Sequence, residues 1–538
     1  MALDLNAAMS LFLPLRGTTQ ATLKELIKGT GPLSFTRATT ATRLNPDTNL
    51  IESVASGDLR EDGRQYLNRF SYSEDFSQSN WVKSNATVAS DNATAPNGKA
   101  VAQSITASAG NGTCLQAVTD TSRARYGSIY LKRKTGTGDI QVTLDGGATW
   151  TTVAVTAAWT RLGAGQTLAN PSFGVRIVTS GDAVYAWGAQ LEDAAAATRY
   201  KKSSSSPAYA PRGVLIEGQR TNLLTYSEQF DNAAWGVWGS GLVVTVNQIA
   251  SPDGTSTADK LQCNNAGGGL HQAQSIPSDA LSRTFSIFLK AGSSPTANIG
   301  LVYSGGTEVN AQVSINFGTG VLSVVQGTPT YGVVPHADGW FRVWIEKANN
   351  SSNTTIYPII FLPNGYYAYS WGAQLEQATF PSSYIPTTSA AVTRNADELT
   401  MPSSGNISDS VGSIFAVYDS IHTASSNDGI LGSLGGSTRF QTSIHTDLRL
   451  FDGTNYAIIA VPTSYNISRK GASRWGGSEM NVFSGITNTP TTFDGSMNYG
   501  TNLKIGGFSG ACERWGHIKG LIIFNRALSD AEMIAITS

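Results

Sequence analysis

Charge is scarce in this chain. Of 538 residues only 14 % are Asp, Glu, Lys or Arg, against roughly 25 % in ordinary globular proteins. What charge there is cancels, with 37 basic residues against 38 acidic and a net charge of −1. No basic excess exists to release counterions from a phosphate backbone, which argues against nucleic-acid binding. Cysteine is nearly missing. Cys114, Cys263 and Cys512 are far apart and form no CxxC pair, so a zinc ribbon or redox motif is not expected. Three free buried thiols in a protein made in a reducing cytoplasm is the reading that follows. No stretch approaches the ~18 apolar residues of a membrane span, so no membrane insertion is expected. The N-terminus MALDLNAAMSLFLPLRG lacks a basic region ahead of an apolar core, and no signal peptide is read there.

Catalytic signatures are absent as well. His271, His336, His422, His445 and His517 are scattered, with no GxSxG or HExxH. Neighbouring carboxylates such as Glu192 and Asp193 alternate sides of a strand and cannot serve one substrate together. Glycoside hydrolysis needs two carboxyls facing one cleft. No enzyme activity, catalytic residue or cofactor is expected. Asp447 and Asp452-Gly453-Thr454-Asn455 offer oxygens to a cation, but their spacing fits no EF-hand and Asp-Gly is a common hairpin turn, so no metal is expected.

What is present is Gly, Ser, Thr, Asn and Ala, suited to strand faces and turns, and a long internal repeat. Tyr72-Ser73-Glu74-Asp75-Phe76 with Trp81 recurs 154 residues on as Tyr226-Ser227-Glu228-Gln229-Phe230 with Trp235. Ser128 to Lys132 matches Ser286 to Lys290, and Trp159-Thr160-Arg161 matches Trp340-Phe341-Arg342. Tyr185-Ala186-Trp187-Gly188-Ala189-Gln190-Leu191-Glu192 matches Tyr369-Ser370-Trp371-Gly372-Ala373-Gln374-Leu375-Glu376, now 184 residues apart. The order holds while the offset grows, which is the mark of one duplicated domain with insertions in its second copy. Phe285, Ile287 and Leu289 alternate, as do Phe341, Val343 and Ile345, the period of half-buried strands.

The expected fold class is all-β: tandem jelly-roll β-sandwiches, two of them duplicated, followed by one lectin-like sandwich, with a short N-terminal anchor. The boundaries read as residues 1–35 for an anchoring segment, in which Ala21 to Lys28 suits a helix, and 36–66 for an irregular connector. They continue as 67–202 for the first repeat, 203–220 for a linker, 221–395 for the second repeat and 396–538 for the last sandwich. In that last part Ser413 to Tyr418 and Leu503 to Ile505 read as strands, and the apolar run Ile518 to Phe524 as a central one. Ser529 and Glu532 have the spacing of a capping box, so a short helix should begin there.

The string Arg212 to Trp235, RGVLIEGQRTNLLTYSEQFDNAAW, resembles a module of tailed-phage virion proteins, the tail-fibre or head-spike fibres. The segment Phe35 to Asp62, FTRATTATRLNPDTNLIESVASGDLRED, resembles the one that precedes it in that family. The repeat is also similar to family-4-like carbohydrate-binding modules, on Asn222-Leu223, Phe230 and Trp235. Trp515-Gly516-His517-Ile518-Lys519-Gly520 and Phe524 to Glu532 resemble the final strand and short helix of concanavalin- and laminin-G-like sandwiches. These resemblances imply a virion protein that binds a host surface glycan, or a capsid-decorating protein acting through protein contacts, with a glycan-processing tail enzyme ranked far below both. They further imply other virion proteins as partners through the N-terminal segment, and a homotrimer.

Trp81, Trp235, Trp187 and Trp371 recur in both copies and read as core. Non-repeated aromatics are the better ligand candidates: Trp238, Tyr331, Tyr366 and Tyr367, which either meet a carbohydrate or line an interface with neighbouring subunits. In the last module Tyr465, Arg469, Arg474 and Trp475 have the composition of an interaction hot spot, for a glycan or a protein.

Overall fold

The computed structural model describes residues 8–12, 33–46, 48–120, 122–194, 196–239, 241–265, 268–420, 427–434, 438–443, 447–461, 469–508, 512–513 and 515–537. The helix expected over Ala21 to Lys28 lies outside the described residues. The chain is all-β, and α-helix among the described residues is confined to Asp530–Thr537. It divides into two compact units, residues 64–210 and residues 1–63 with 211–538.

The first unit is the first repeat, a jelly-roll sandwich of two five-stranded antiparallel sheets. One runs Thr160–Leu168, Arg123–Thr135, Ala183–Glu192, Ala100–Ala107, Ala86–Thr94, and the other Thr151–Val153, Ile140–Thr143, Ser172–Ile177, Gly112–Ala117, Val82–Ser84. Alternate residues such as Ile129, Leu131, Val142, Val175 and Ile177 fill the space between them.

The second unit holds the second repeat and the last sandwich. The second repeat has a six-stranded sheet ordered Leu242–Ile249, Ala258–Cys263, Tyr367–Glu376, Ser282–Ala291, Trp340–Ala348, Thr330–Pro335. It faces a sheet ordered Gly236–Trp238, Gly269–His271, Thr355–Phe361, Thr296–Ser304, Val309–Asn316, Val321–Gln326, with Gln274–Ser275 also paired to Thr355–Phe361. Phe285, Ile287, Leu289, Val343 and Ile345 are buried as their alternation required. Residues inserted between the two matching motifs supply the edge strands Val321–Gln326 and Thr330–Pro335.

The duplication extends to hydrogen bonds. The Trp81 indole N–H donates to the Tyr72 carbonyl at 3.1 Å, and that of Trp235 to the Tyr226 carbonyl at 3.0 Å. The Asn68 amide donates to the Ala189 and Lys201 carbonyls at 2.8 and 2.9 Å, and Asn222 does the same to Ala373 and Ile385 at 3.1 and 2.9 Å. Ser73 meets the Tyr200 hydroxyl at 2.8 Å and Ser227 meets that of Tyr384 at 2.7 Å. The recurring tryptophans belong to the packing of each copy.

The last sandwich takes strands from outside the range 396–538. One sheet runs Thr487–Thr492, Glu479–Ser484, Arg469–Gly476, Gly412–Tyr418, Gly516–Phe524, Ala208–Ile216, Glu61–Asn68, with Ala8–Phe12 paired to Gly516–Phe524. The other runs Ser34–Thr36, Glu398–Pro402, Asn502–Ile505, Asn427–Ser433, Arg439–Ser443, Asp447–Phe451, Tyr456–Ala460. Residues 1–35, expected as a separate segment, thus put two strands into this module. Residues 36–66, expected to be irregular, hold Ala41–Leu44 paired to Ile51–Val54 and the strand Glu61–Asn68. Residues 203–220, expected as a linker, carry the whole strand Ala208–Ile216. The physical reason is plain: Val214, Leu215 and Ile216 are buried, and such a run needs a sheet to cover it. Ile518 to Phe524 lies inside the sheet, flanked by Gly412–Tyr418 and Ala208–Ile216. The capping box forms, with the Ser529 N–H donating to Glu532 at 2.8 Å and the Glu532 N–H to Ser529 Oγ at 3.4 Å.

Candidate saccharide-binding face

In the strand Thr355–Phe361, Ile356, Pro358 and Ile360 point into the core and Tyr357, Ile359 and Phe361 point outward. The strand is central, paired on one side to Thr296–Ser304 and on the other to Gly269–His271. Register then sets the outward row: Trp238 opposes Gly269, Gly269 opposes Phe361, Phe361 opposes Asn298, and Asn298 opposes Ser314. One step along, Val302 stands between Tyr357 and Asn310, and Gly300 between Ile359 and Gln312.

Four rings gather at one end of this face. Trp238 lies 4.7 Å from the His271 ring, 5.4 Å from Tyr357 and 6.4 Å from Phe361, centroid to centroid, with interplanar angles of 32°, 37° and 25°. His271 and Tyr357 are 5.5 Å apart. Two glycines make the room. A Cβ at Gly269 would fall 2.2 Å from the Phe361 ring, and one at Gly236 2.9 Å from that of His271. The rings therefore cross neighbouring strands where any side chain would displace them. Burial lowers the pKa of His271, so at neutral pH it is an uncharged ring.

The other end of the face carries Asn298, Asn310, Gln312 and Ser314, all partly exposed. None of the seven strands of this sheet contains Asp, Glu, Lys or Arg. Uncharged aromatic surface beside amides and hydroxyls suits stacking and hydrogen bonding to a neutral polyol. Its strands bring no carboxyl group to this surface.

The sequence candidates do not all converge here. Trp238 is at the centre. Tyr331, Tyr366 and Tyr367 belong to the opposite sheet or the turn leading into it: Tyr331 on its edge strand Thr330–Pro335, Tyr366 in the turn, and Tyr367 at the start of Tyr367–Glu376 with Lys260 at 4.3 Å over its ring. Tyr331 and Tyr366 are exposed. In the last module Trp475 must be corrected. It is fully buried, its indole N–H donates to the Ser408 carbonyl at 3.0 Å, and it packs near Tyr499, so no ligand can stack on it. Arg474 is occupied by Glu479 at 2.9 Å, Asp530 at 2.5 Å and the Leu528 carbonyl at 3.0 Å. Arg469 opens the strand Arg469–Gly476 opposite Tyr418, and Tyr465 lies outside the described residues. Asp452, weighed as a cation ligand, accepts the Thr454 and Asn455 backbone N–H groups of its own turn at 2.8 and 2.6 Å. Sequence reasoning missed His271, Tyr357 and Phe361. The period-two spacing of Tyr357 and Phe361 was the available signal.

No protein-family model and no curated protein matches the chain. Among solved structures it is similar to the tandem CBM22-1–CBM22-2 domain of Paenibacillus barcinonensis Xyn10C, at 12 % identity and a TM-score of 0.21 over 59 % of this chain and 99 % of that one. It is also similar to the CBM22-1–GH10 modules of Clostridium thermocellum endo-1,4-beta-D-xylanase 10B complexed with xylohexaose, at 14 % identity and a TM-score of 0.23 over 32 % of this chain and 30 % of that one.

Proposed function

We propose that this chain is a non-catalytic glycan-binding protein, and that the outward sheet face around Trp238 in the second repeat is its binding surface for neutral saccharide. The observation that carries the reading is a seven-stranded sheet without a single charged residue, bearing Trp238, His271, Tyr357 and Phe361 as one aromatic group beside Asn298, Asn310 and Gln312. Water-facing sheets ordinarily carry charge, and a sheet that carries none while exposing rings suits a sugar surface.

The full chain should bind members of a panel of neutral oligosaccharides, read by calorimetry. Trp238→Ala should weaken that binding about tenfold or more, the scale of one lost ring contact, with melting unchanged. Equal affinity in the variant would remove this face from the reading. Incubation with the bound polysaccharide should release no new reducing ends.

The wider setting we propose is a tailed-phage virion, in which the chain is a trimeric fibre or spike reaching the host surface. Support comes from the segments Phe35 to Asp62 and Arg212 to Trp235. Immunogold labelling of intact particles with an antibody to the last module tests it. Label on the tail fits host attachment, label over the capsid fits decoration, and no label on any particle overturns the virion setting.

A further inference from the structure

The first repeat has the same sheet face, and its residues are different. Register aligns Trp238 with Ser84, His271 with Leu115, Phe361 with Arg176 and Asn298 with Gln141, since Ser84 opposes Thr113, Thr113 opposes Arg176, and Arg176 opposes Gln141. The duplicated core kept its hydrogen bonds in both copies, while this face exchanged its ring group for a cation. Conserved packing with a changed outward face is the pattern of one scaffold turned to two ligands.

Only Lys83 and Arg176 are charged in the five strands of this sheet. The Lys83 ammonium is spent on the carbonyls of Phe76, Ser77 and Gln78 at 3.4, 3.0 and 2.9 Å. Arg176 is left. Its Nε donates to Gln141 Oε1 at 2.7 Å, and the Gln141 amide donates in turn to Thr152 Oγ1 at 3.1 Å. Its guanidinium sits 4.4 Å over the Trp150 ring. Arg69, Arg123, Arg125, Arg133 and Arg161 of the same repeat each have a carboxylate within 4 Å, and Arg176 has none among the described residues. Both its Nη groups remain for a ligand, on a fork already fixed in orientation.

The loop that brings Trp150 to this place is itself built. Asp145 accepts the Thr149 N–H at 2.9 Å and the Thr143 hydroxyl at 2.8 Å, so its charge is turned into its own loop. A Cβ at Gly147 would lie 3.0 Å from the Trp150 ring. Trp150 has no counterpart among the repeated tryptophans, as expected of a ligand residue rather than a core one.

We infer that this face of the first repeat is a second saccharide site, selective for a carboxylate-bearing sugar such as a hexuronic acid. The carboxylate takes the two Nη groups of Arg176 as a bidentate pair, while Gln141 and Trp150 hold the guanidinium in place. The inference rests on the reading of these sheet faces as glycan surfaces and adds the sugar class.

The test uses the full chain, a hexuronate oligosaccharide and its carboxyl-reduced neutral counterpart, by calorimetry at two salt concentrations. The uronate should bind about tenfold or more tightly than the reduced sugar, with an advantage that shrinks as salt rises. Arg176→Gln should remove that preference with melting unchanged. Arg176→Lys should keep part of the salt-sensitive attraction without the fork. Trp238→Ala should leave uronate binding intact, which separates this site from the neutral face and makes the two readings fail independently. Equal affinity for uronate and reduced sugar, or a preference that survives Arg176→Gln, overturns the inference.

Discussion

His336 shows how one buried ring ties stability to pH. It follows the strand Thr330–Pro335, stands edge-on to Phe288 at 5.0 Å, and its Nδ1 is shut off from solvent without a hydrogen-bond partner. Burial first, then the nearby Arg342, lower its pKa from 6.5 to about 4, and Asp62 opposes them. A folded pKa below the unfolded one means the unfolded chain takes up a proton that the folded chain refuses. The contribution is whole above about 6.5 and is lost as pH falls towards about 4. Because the ring as a whole is only partly buried, we expect a loss of about 1–2 kcal/mol rather than the full linkage value. Urea unfolding at pH 7 and pH 4.5 measures it. His336→Gln should remove that part of the pH dependence, and an unchanged profile in the variant would assign the effect elsewhere.

At the scale of elements, the two WGAQLE strands each break their ladder at a glycine. Gly188 and Gly372 have φ of +62° and +63°, and the pairing to Arg123–Thr135 and Ser282–Ala291 skips a residue there. A Cβ at Gly372 would also fall 3.0 Å from Phe288 and 3.3 Å from Tyr384. Gly372→Ala should therefore destabilise by about 1–2 kcal/mol, and Gly188→Ala by a similar amount in the first repeat, read as shifts in chemical unfolding midpoints. A wild-type midpoint in either variant would mean the bulge is not held as described. These strands were legible in the sequence because both copies spell them, and so was the core role of their tryptophans. The bulge was not, because alternation and propensity do not register a single left-handed residue. Trp238 was found by comparing copies, since a core role would have been kept in both. Tyr357 and Phe361 escaped because Ile359 shares their face and Ile356, Pro358 and Ile360 oppose it, so hydropathy does not alternate along the strand. Trp475 was misplaced for the opposite reason: the last module has no second copy to show what its core requires.

The unit formed by residues 1–63 and 211–538 contains a fully buried network of ion pairs. Arg60 meets Glu217 at 2.8 Å and also pairs with Asp397, Arg37 meets Asp397 at 3.0 Å, and Arg394 lies 3.6 Å from Glu217. All five side chains are essentially without solvent. The Glu217 carboxyl also accepts the Ser383 N–H at 2.8 Å and the Ser383 hydroxyl at 2.7 Å. Arg37 and Arg60 lie in the segment Phe35 to Asp62 and Glu217 in the segment Arg212 to Trp235, so the network ties those two segments together. It gathers the N-terminal strands, the second repeat through Ser383 and the connection to the last sandwich through Arg394 and Asp397. Beside it Arg220 lies 3.9 Å over Trp515 and 5.2 Å from Phe380, a further tie between repeat and sandwich. Burial alone would raise the Glu217 carboxyl, but Arg394, Arg60 and Ser383 overcome it and hold the group well below the ordinary carboxylate range. Its contribution is therefore present at neutral pH and is lost only as pH falls below that range. Glu217→Gln leaves three guanidiniums facing one carboxylate in a dry interior, which should cost about 3–5 kcal/mol. It should also uncouple the two modules. Amide exchange in the buried strands Ser282–Ala291 and Gly516–Phe524 should report one shared opening free energy in the wild-type chain and two different ones in the variant. Equal exchange in both strands of the variant would mean that apolar contacts alone hold this unit together.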